Sequence, residues 1–242
     1  MKVMLFAAGL GTRLRPLTDT LPKALVPIEG RPLLDITLQR LKDAGATEVV
    51  VNVHHFGEQI IEYLQNHDYG IPVRISDERE QLLDTGGGLK AALPLFVQDE
   101  APILIHNVDI LSNAHLSDFY QAQPQADVLL LVSERPTQRY LLFNEEGRMV
   151  GWTNRATGEV RSPYPDLRPE ACKQLAFAGI HRVHPRIARC MEGQSSRFPI
   201  MNFYIEHCHL LDIRAYQQEG LQLLDVGKQD TLLAAANFLR TQ

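Results

Sequence analysis

The chain has 242 residues, 45% of them hydrophobic and 22% charged, with 29 acidic against 24 basic side chains and a formal net charge of −5. That length suits one α/β domain with a full core, and the ordinary apolar content excludes disorder. The lack of a basic excess argues against a dedicated nucleic-acid binder, and no apolar run reaches the roughly 20 residues that a bilayer span needs. Cys172, Cys190 and Cys208 form no C-x-x-C pair and read as reduced, buried thiols of a cytoplasmic protein. The apolar start, Met1–Ala8, is too short for a secretory leader. The expected partners are small molecules, with neither nucleic acid nor membrane, in a monomer or small homo-oligomer.

The first half alternates β-branched runs with helical periods. Lys2–Ala8 reads as a buried strand, and Pro32–Ala44 as a helix with Leu34, Leu38 and Leu41 on one stripe. Glu48–Val53 is a strand, Glu58–Asn66 a helix with Ile61 and Leu64 inward, and Val73–Asp77 a short strand. Gly88–Leu95 reads as a short helix behind a triple glycine. Ile103–Asn107 and Asp127–Val132 follow as strands around a helix near Leu116–Gln123. Strand, helix, strand at this pitch means βαβ units, hence an α/β fold whose mostly parallel sheet carries helices on both faces.

After Ser133 the pattern changes. Tyr140–Asn144 and Met149–Thr153 flank a turn at Glu145-Glu146-Gly147 and predict a β-hairpin. Thr157–Lys173, rich in Pro, Arg and Glu, predicts a long surface loop. Phe177–Val183 and Gln222–Val226 read as strands, Arg197–Leu210 as mostly helical, and Asp230–Arg240 as a helix favoured by its alanine run. With no internal repeat and no second core, the expectation is one domain with an insertion-like middle.

The densest chemical signal follows the first strand: Ala7-Ala8-Gly9-Leu10-Gly11-Thr12-Arg13-Leu14-Arg15-Pro16-Leu17-Thr18, then Pro22-Lys23. Ligands of open parallel sheets bind beyond the C-terminal strand ends. A glycine-rich turn there lets backbone N–H groups approach a phosphate with no Cβ in the way. Arg13 and Lys23 add two cations. No Gly-Lys-Ser/Thr follows, so this is not a Walker loop, and Leu14 stands where a dinucleotide fingerprint has its third glycine. A purely structural strand–turn–helix is the plain alternative.

Asp109 and Asp225 each end an apolar strand. Brought to one crevice, two carboxylates suffice for Mg²⁺, which keeps waters and takes further ligands from phosphates; taken singly, each reads as a turn or capping aspartate. Gly86-Gly87-Gly88 opens a helix either toward a ligand or for close packing on the sheet. The pairs His54-His55, His181/His184 and His207/His209 do not converge, which argues against zinc. Trp152, on the hairpin, reads as packing before it reads as a stacking platform.

The run from Gly9 to Thr18 with Pro22-Lys23-Ala24-Leu25-Val26-Pro27 closely resembles the signature of the sugar-1-phosphate nucleotidyltransferases. The resemblance continues through Asp84-Thr85-Gly86-Gly87-Gly88, Asn107-Val108-Asp109, Ala178-Gly179-Ile180 and Asp225-Val226-Gly227. It is weakest from about Arg135 to Lys173. It implies a single-domain, three-layer, doubly wound Rossmann-like (GT-A-like) fold with a mostly parallel, mixed sheet. In that scheme residues 1–133 bind nucleotide, 134–228 bind the sugar phosphate and 229–242 form a C-terminal helix. The implied activity is Mg²⁺-dependent transfer of a nucleoside monophosphate from an NTP to a sugar 1-phosphate, supplying cell-envelope polysaccharide precursors. Its short uridylyl- and guanylyltransferases, for N-acetylmuramate, mannose or heptose 1-phosphates, look most like this chain.

On this resemblance Arg13 and Lys23 are catalytic, and Asp109 and Asp225 carry the metal. Ala8, Gly9, Gly11, Thr12, Gln81, Thr85 and Gly86 hold the nucleotide, while Asn107, Arg155 and Gly179 hold the sugar phosphate. Gln81 stands where many relatives carry Glu, which leaves the base open. Asn154-Arg155-Ala156 stands where many have Glu-Lys-Pro; Glu134-Arg135-Pro136 comes too early and is read as a decoy. The rival readings are a non-sugar acceptor such as phosphocholine, a non-catalytic nucleotide or sugar-phosphate sensor, and a nicotinamide-dependent oxidoreductase. Retention of Lys23, Asp109 and Asp225 speaks against the sensor, and Leu14 against the oxidoreductase.

Overall fold

In the computed structural model, which describes residues 1–241, the chain opens with the buried strand β1 (Lys2–Phe6) and three short 3-10 turns. A small ladder, β2 (Pro27–Ile28) with β3 (Arg31–Pro32), leads into α1 (Leu33–Asp43). Then come β4 (Glu48–Val53), α2 (Gly57–Gln65), β5 (Val73–Asp77), α3 (Asp84–Ala92), β6 (Ile103–Asn107), β7 (Ile110–Ser112), α4 (Leu116–Gln121) and β8 (Val128–Ser133). The second half holds β9 (Arg139–Phe143), β10 (Met149–Asn154), β11 (Glu159–Arg161), β12 (Lys173–Val183), α5 (Ala188–Met191) and α6 (Ile200–His207). It closes with β13 (Ile213–Gln217), β14 (Leu223–Asp225) and α7 (Asp230–Arg240).

Ten strands make one mixed sheet in the order β11-β10-β9-β12-β6-β1-β4-β5, with β8 joined to β12 and β13. The run β6-β1-β4-β5 is parallel, as the βαβ rhythm predicts. β12 instead runs antiparallel to β6, β8 and β9, and β9-β10-β11 form an antiparallel meander. Strand alternation feeds an apolar layer on each face. Val3, Leu5, Val49, Val51 and Leu104 pack with the α1 leucines Leu34, Leu38 and Leu41. Met4, Val50, Ile103 and Ile105 pack with Leu89 of α3 and Phe203 of α6.

Some elements differ from the sequence reading. β1 stops at Phe6, and α2, over the edge pair β4–β5, buries Ile60 while Ile61 and Leu64 stay partly covered. The triple glycine lies within the first turns of α3, not ahead of it. The 157–173 stretch is not only a loop, because Glu159–Arg161 pairs with β10. The helix expected over Arg197–Leu210 shortens to Ile200–His207, with Pro199 at its N-cap. β7 is too short to show a period, and polar Arg214 and Gln217 dilute that of β13. All three cysteines are free, but only Cys208 is buried. No helix among the described residues is long and apolar enough to cross a membrane.

Candidate active site

Two adjoining cavities open beyond the C-terminal ends of β1 and β6. The first, of about 300 Å³, is bordered by Ala8, Gly9, Lys23, Thr85, Asn107 and Asp109. The second, of about 570 Å³, lies between the β9–β11 meander, β12 and α6. The two share Phe6, Thr85 and Asn107.

β1 gives way to the glycine loop where Ala7 turns its N–H to Asn52 Oδ1, at 2.8 Å. The buried Asn52 side chain donates in turn to Glu78 Oε1 at 2.7 Å, and Glu78 Oε2 accepts the Leu83 N–H at 3.0 Å. This relay ties the start of the loop to the segment that enters α3. Burial pushes the Glu78 carboxyl pKa up, against the opposing effect of those hydrogen bonds.

Gly9 is exposed, with open space where a Cβ would stand. Gly11 has φ 65°, and a Cβ there would lie 2.9 Å from Thr18 and 3.1 Å from Lys23, so only glycine keeps the lysine where it is. Lys23, 8% exposed, forms an ion pair with Asp109. The Asp109 carbonyl accepts the Val226 N–H at 2.8 Å, and Ile110 faces Asp225 in the β7–β14 ladder. Two aspartates far apart in sequence thereby occupy neighbouring register positions. Arg13 Nη2 lies 3.8 Å from Asp225 Oδ2 in an exposed pair. A Cβ on Gly227 would come within 2.6 Å of that guanidinium, so the glycine of Asp-Val-Gly makes room for it. The two predicted cations and the two predicted carboxylates converge, each carboxylate beside one cation.

Of the other predicted residues, Ala8 and Gly9 border the first cavity, and Thr85 and Asn107 stand where the two meet. Gly179, at φ 77°, packs so closely on Asn107 that a Cβ would lie 3.2 Å from its amide nitrogen. Thr12 and Gln81 are exposed, and with Gly11 they fall outside the residues that border the cavity.

Gly86 is a correction. Its N–H and that of Gly87 donate to the Phe198 carbonyl at 2.8 and 3.2 Å, and a Cβ on Gly87 would lie 2.1 Å from the Ser196 carbonyl. The glycines let α3 press against the 196–198 segment, and the Gly86 N–H is not free for a base. Beside them, the Thr85 hydroxyl accepts the Ile200 N–H at 2.9 Å and caps the start of α6.

Arg155 is the second correction. Its guanidinium lies 4.5 Å over the Tyr140 ring and donates to Gln174 Oε1 at 2.9 Å. Arg139 and Leu141 face the second cavity, so Tyr140 between them, and Arg155 with it, look to the opposite side of the sheet. Arg135, read from sequence as a decoy, does border that cavity, its Nη2 donating to the Phe177 carbonyl at 3.0 Å. The sequence reading also missed Arg139, Arg161, Asn202 and His181. Period two along β10 would have aligned Asn154 with Trp152, but Arg161 was hidden in a stretch read as loop. His181 is 2% exposed with neither ring nitrogen hydrogen-bonded, and burial lowers its pKa to about 3.

The family model for nucleotidyl transferases matches residues 2–140. The N-acetylmuramate alpha-1-phosphate uridylyltransferase of Caulobacter vibrioides is 37% identical over 207 residues, which are 81% of this chain and 81% of that protein. A mannose-1-phosphate guanyltransferase of Debaryomyces hansenii is 36% identical over 97% of this chain, which spans 63% of that longer protein. In fold, HddC from Yersinia pseudotuberculosis matches with a TM-score of 0.77 over 98% of this chain and 99% of that one, at 18% identity.

Proposed function

The chain belongs to the nucleotidyl transferase family, and we propose that it moves a nucleoside monophosphate from an NTP to a sugar 1-phosphate, with Mg²⁺ as cofactor and pyrophosphate as by-product. The observation that carries this reading is the convergence of Lys23, Arg13, Asp109 and Asp225 on one rim. The first cavity suits the nucleotide, with the open backbone of Gly9 available to phosphate. The larger second cavity, beyond Asn107, suits the acceptor.

The acceptor phosphate is already anionic at neutral pH, so no general base is required. Its oxygen attacks the α-phosphorus in line; the new P–O bond forms as the bond to pyrophosphate breaks, and the electron pair leaves with pyrophosphate. Catalysis is then alignment and charge neutralisation. Lys23 lies between the α-phosphate and the acceptor phosphate and reduces their repulsion, while exposed Arg13 holds the departing pyrophosphate. Two hard carboxylates at neighbouring register positions fit Mg²⁺. Among the described residues no cluster of three His, Cys, Asp or Glu would complete a shell from protein alone, which leaves the other positions to phosphate oxygens and water. When bound, the ion supplies charge neutralisation on those oxygens. Lys23 and Arg13 now sit against the carboxylates, so each must exchange its carboxylate for phosphate as substrates arrive.

Pyrophosphate release, assayed with four NTPs against several sugar 1-phosphates and phosphocholine, with and without Mg²⁺, tests this. UTP with N-acetylmuramate 1-phosphate and GTP with mannose 1-phosphate, the pairs suggested by the two relatives' names, come first. Release that requires a sugar 1-phosphate and stops on chelation is the expected result. Release with none of the sugars overturns the reading.

A further inference from the structure

We propose that Arg161, oriented by Asn202 and set beside Trp152, binds a carboxylate carried by the acceptor sugar at the end away from its phosphate. The proposal rests on the second cavity being the acceptor site. In the meander register Leu141, Trp152 and Arg161 form one cross-strand row, and Arg139, Asn154 and Glu159 form the next. β11 is the outermost strand, three strand spacings, or roughly 14 Å, from β12. Arg161 therefore stands at the end of the cavity far from Asn107, where the two chambers meet. Arg135 and Arg139, next to Phe177 on the β12 side, are better placed for the acceptor phosphate.

Arg161 Nη1 donates to Asn202 Oδ1 at 2.9 Å, and its Cζ lies 6.0 Å from the centre of the Trp152 ring. The neutral amide orients the guanidinium and leaves its charge uncompensated. Among the described residues none of Arg135, Arg139 and Arg161 has a carboxylate within ion-pair distance, whereas Arg13, Arg74, Arg148 and Arg186 each have one. Among the described residues Glu159 is the one carboxylate bordering this cavity, and it lies on the other cross-strand row. A single sugar phosphate does not account for three arginines at separate positions. A planar carboxylate matches the fork of a guanidinium in geometry and in charge. Trp152 offers an apolar face for the ring, and the orphaned His181 imidazole a hydrogen bond for a neutral substituent.

The decisive pair is N-acetylmuramate 1-phosphate and N-acetylglucosamine 1-phosphate, which differ in the carboxyl-bearing ether. The wild type is expected to favour the acidic sugar at least about tenfold in kcat/KM. Arg161→Gln should raise KM for that sugar about ten- to a hundredfold, the scale of a charged hydrogen bond, with kcat and the neutral sugar nearly unchanged. Arg161→Lys, which keeps the charge and loses the fork, falls between, and Asn202→Ala has a smaller effect in the same direction. Equal use of both sugars by the wild type, or equal impairment of both in Arg161→Gln, overturns the proposal. If no sugar 1-phosphate supports pyrophosphate release, the transferase reading is what fails, and calorimetric titration of these two sugars still decides the subsite; release with neutral sugars alone overturns the proposal. Tighter binding of the acidic sugar that Arg161→Gln abolishes supports it; indistinguishable binding overturns it.

Discussion

On the nucleotide-loop side each predicted cation rests against a carboxylate, Lys23 on Asp109 at the first cavity and Arg13 on Asp225 outside its lining; around the second cavity, among the described residues, Arg135, Arg139 and Arg161 face their space without one. The first is framed by loops leaving parallel strands and the second by an antiparallel meander. The difference teaches how charge is stored in the two places. In the first, the cations and carboxylates cancel until substrate rearranges them. In the second, positive charge stands open to whatever acceptor enters.

The largest effect expected from breaking the first arrangement is chemical. Lys23→Ala and Asp109→Ala should each cut kcat by about 10²–10³ while circular dichroism stays native. Either variant keeping more than about a tenth of wild-type kcat removes the assigned role. The packing of α3 on the 196–198 segment gives the next effect, on stability. Gly87→Ala forces a Cβ to within 2.1 Å of a backbone oxygen, and urea unfolding should show a loss of about 3 kcal/mol.

Two buried histidines, His181 bordering the second cavity and His106 on β6 toward Arg40, sharpen the comparison through pH. Burial lowers the pKa of His106 and of His181 to about 3 from an ordinary 6.5, with the Arg40 charge adding to the effect at His106. Below 6.5 the unfolded chain takes up protons that the fold refuses. Stability is therefore full above that pH and falls as acidity rises toward pH 3. Each histidine accounts for about 2 kcal/mol between pH 7 and pH 5. His181→Phe should shrink the loss measured by urea unfolding over that interval by about that amount; an unchanged loss means that His181 is not held neutral. The smallest effect is expected at Arg155, which faces away from both chambers. Arg155→Ala should leave kcat/KM within about twofold, and a larger drop would restore the residue to the acceptor site.

What was legible in the sequence follows from how local each feature is. The glycine loop, Lys23 and the parallel βαβ units are written in contiguous residues, so their pattern survives without knowledge of tertiary contacts. Asp109 and Asp225 carried no local sign of meeting; resemblance singled them out, and the β7–β14 ladder brings them together. Arg155 misled because facing within a meander depends on register, and β10 shifts register between Met149 and Gly151. The triple glycine misled because its partners, Ser196 and Phe198, are remote in sequence, and nothing near Gly86 announces them. Arg161 needed a third strand that a Pro- and Arg-rich segment disguised.

The Thr85 hydroxyl that receives the Ile200 N–H, together with the Phe198 carbonyl held by Gly86 and Gly87, latches α6 to α3. Ile200, which borders the second cavity, is thereby bound to Thr85, which borders both. Asn202 of α6 in turn accepts from Arg161 of β11, so the same latch reaches the outer edge of the sheet and joins both walls of the second chamber to the threshold of the first.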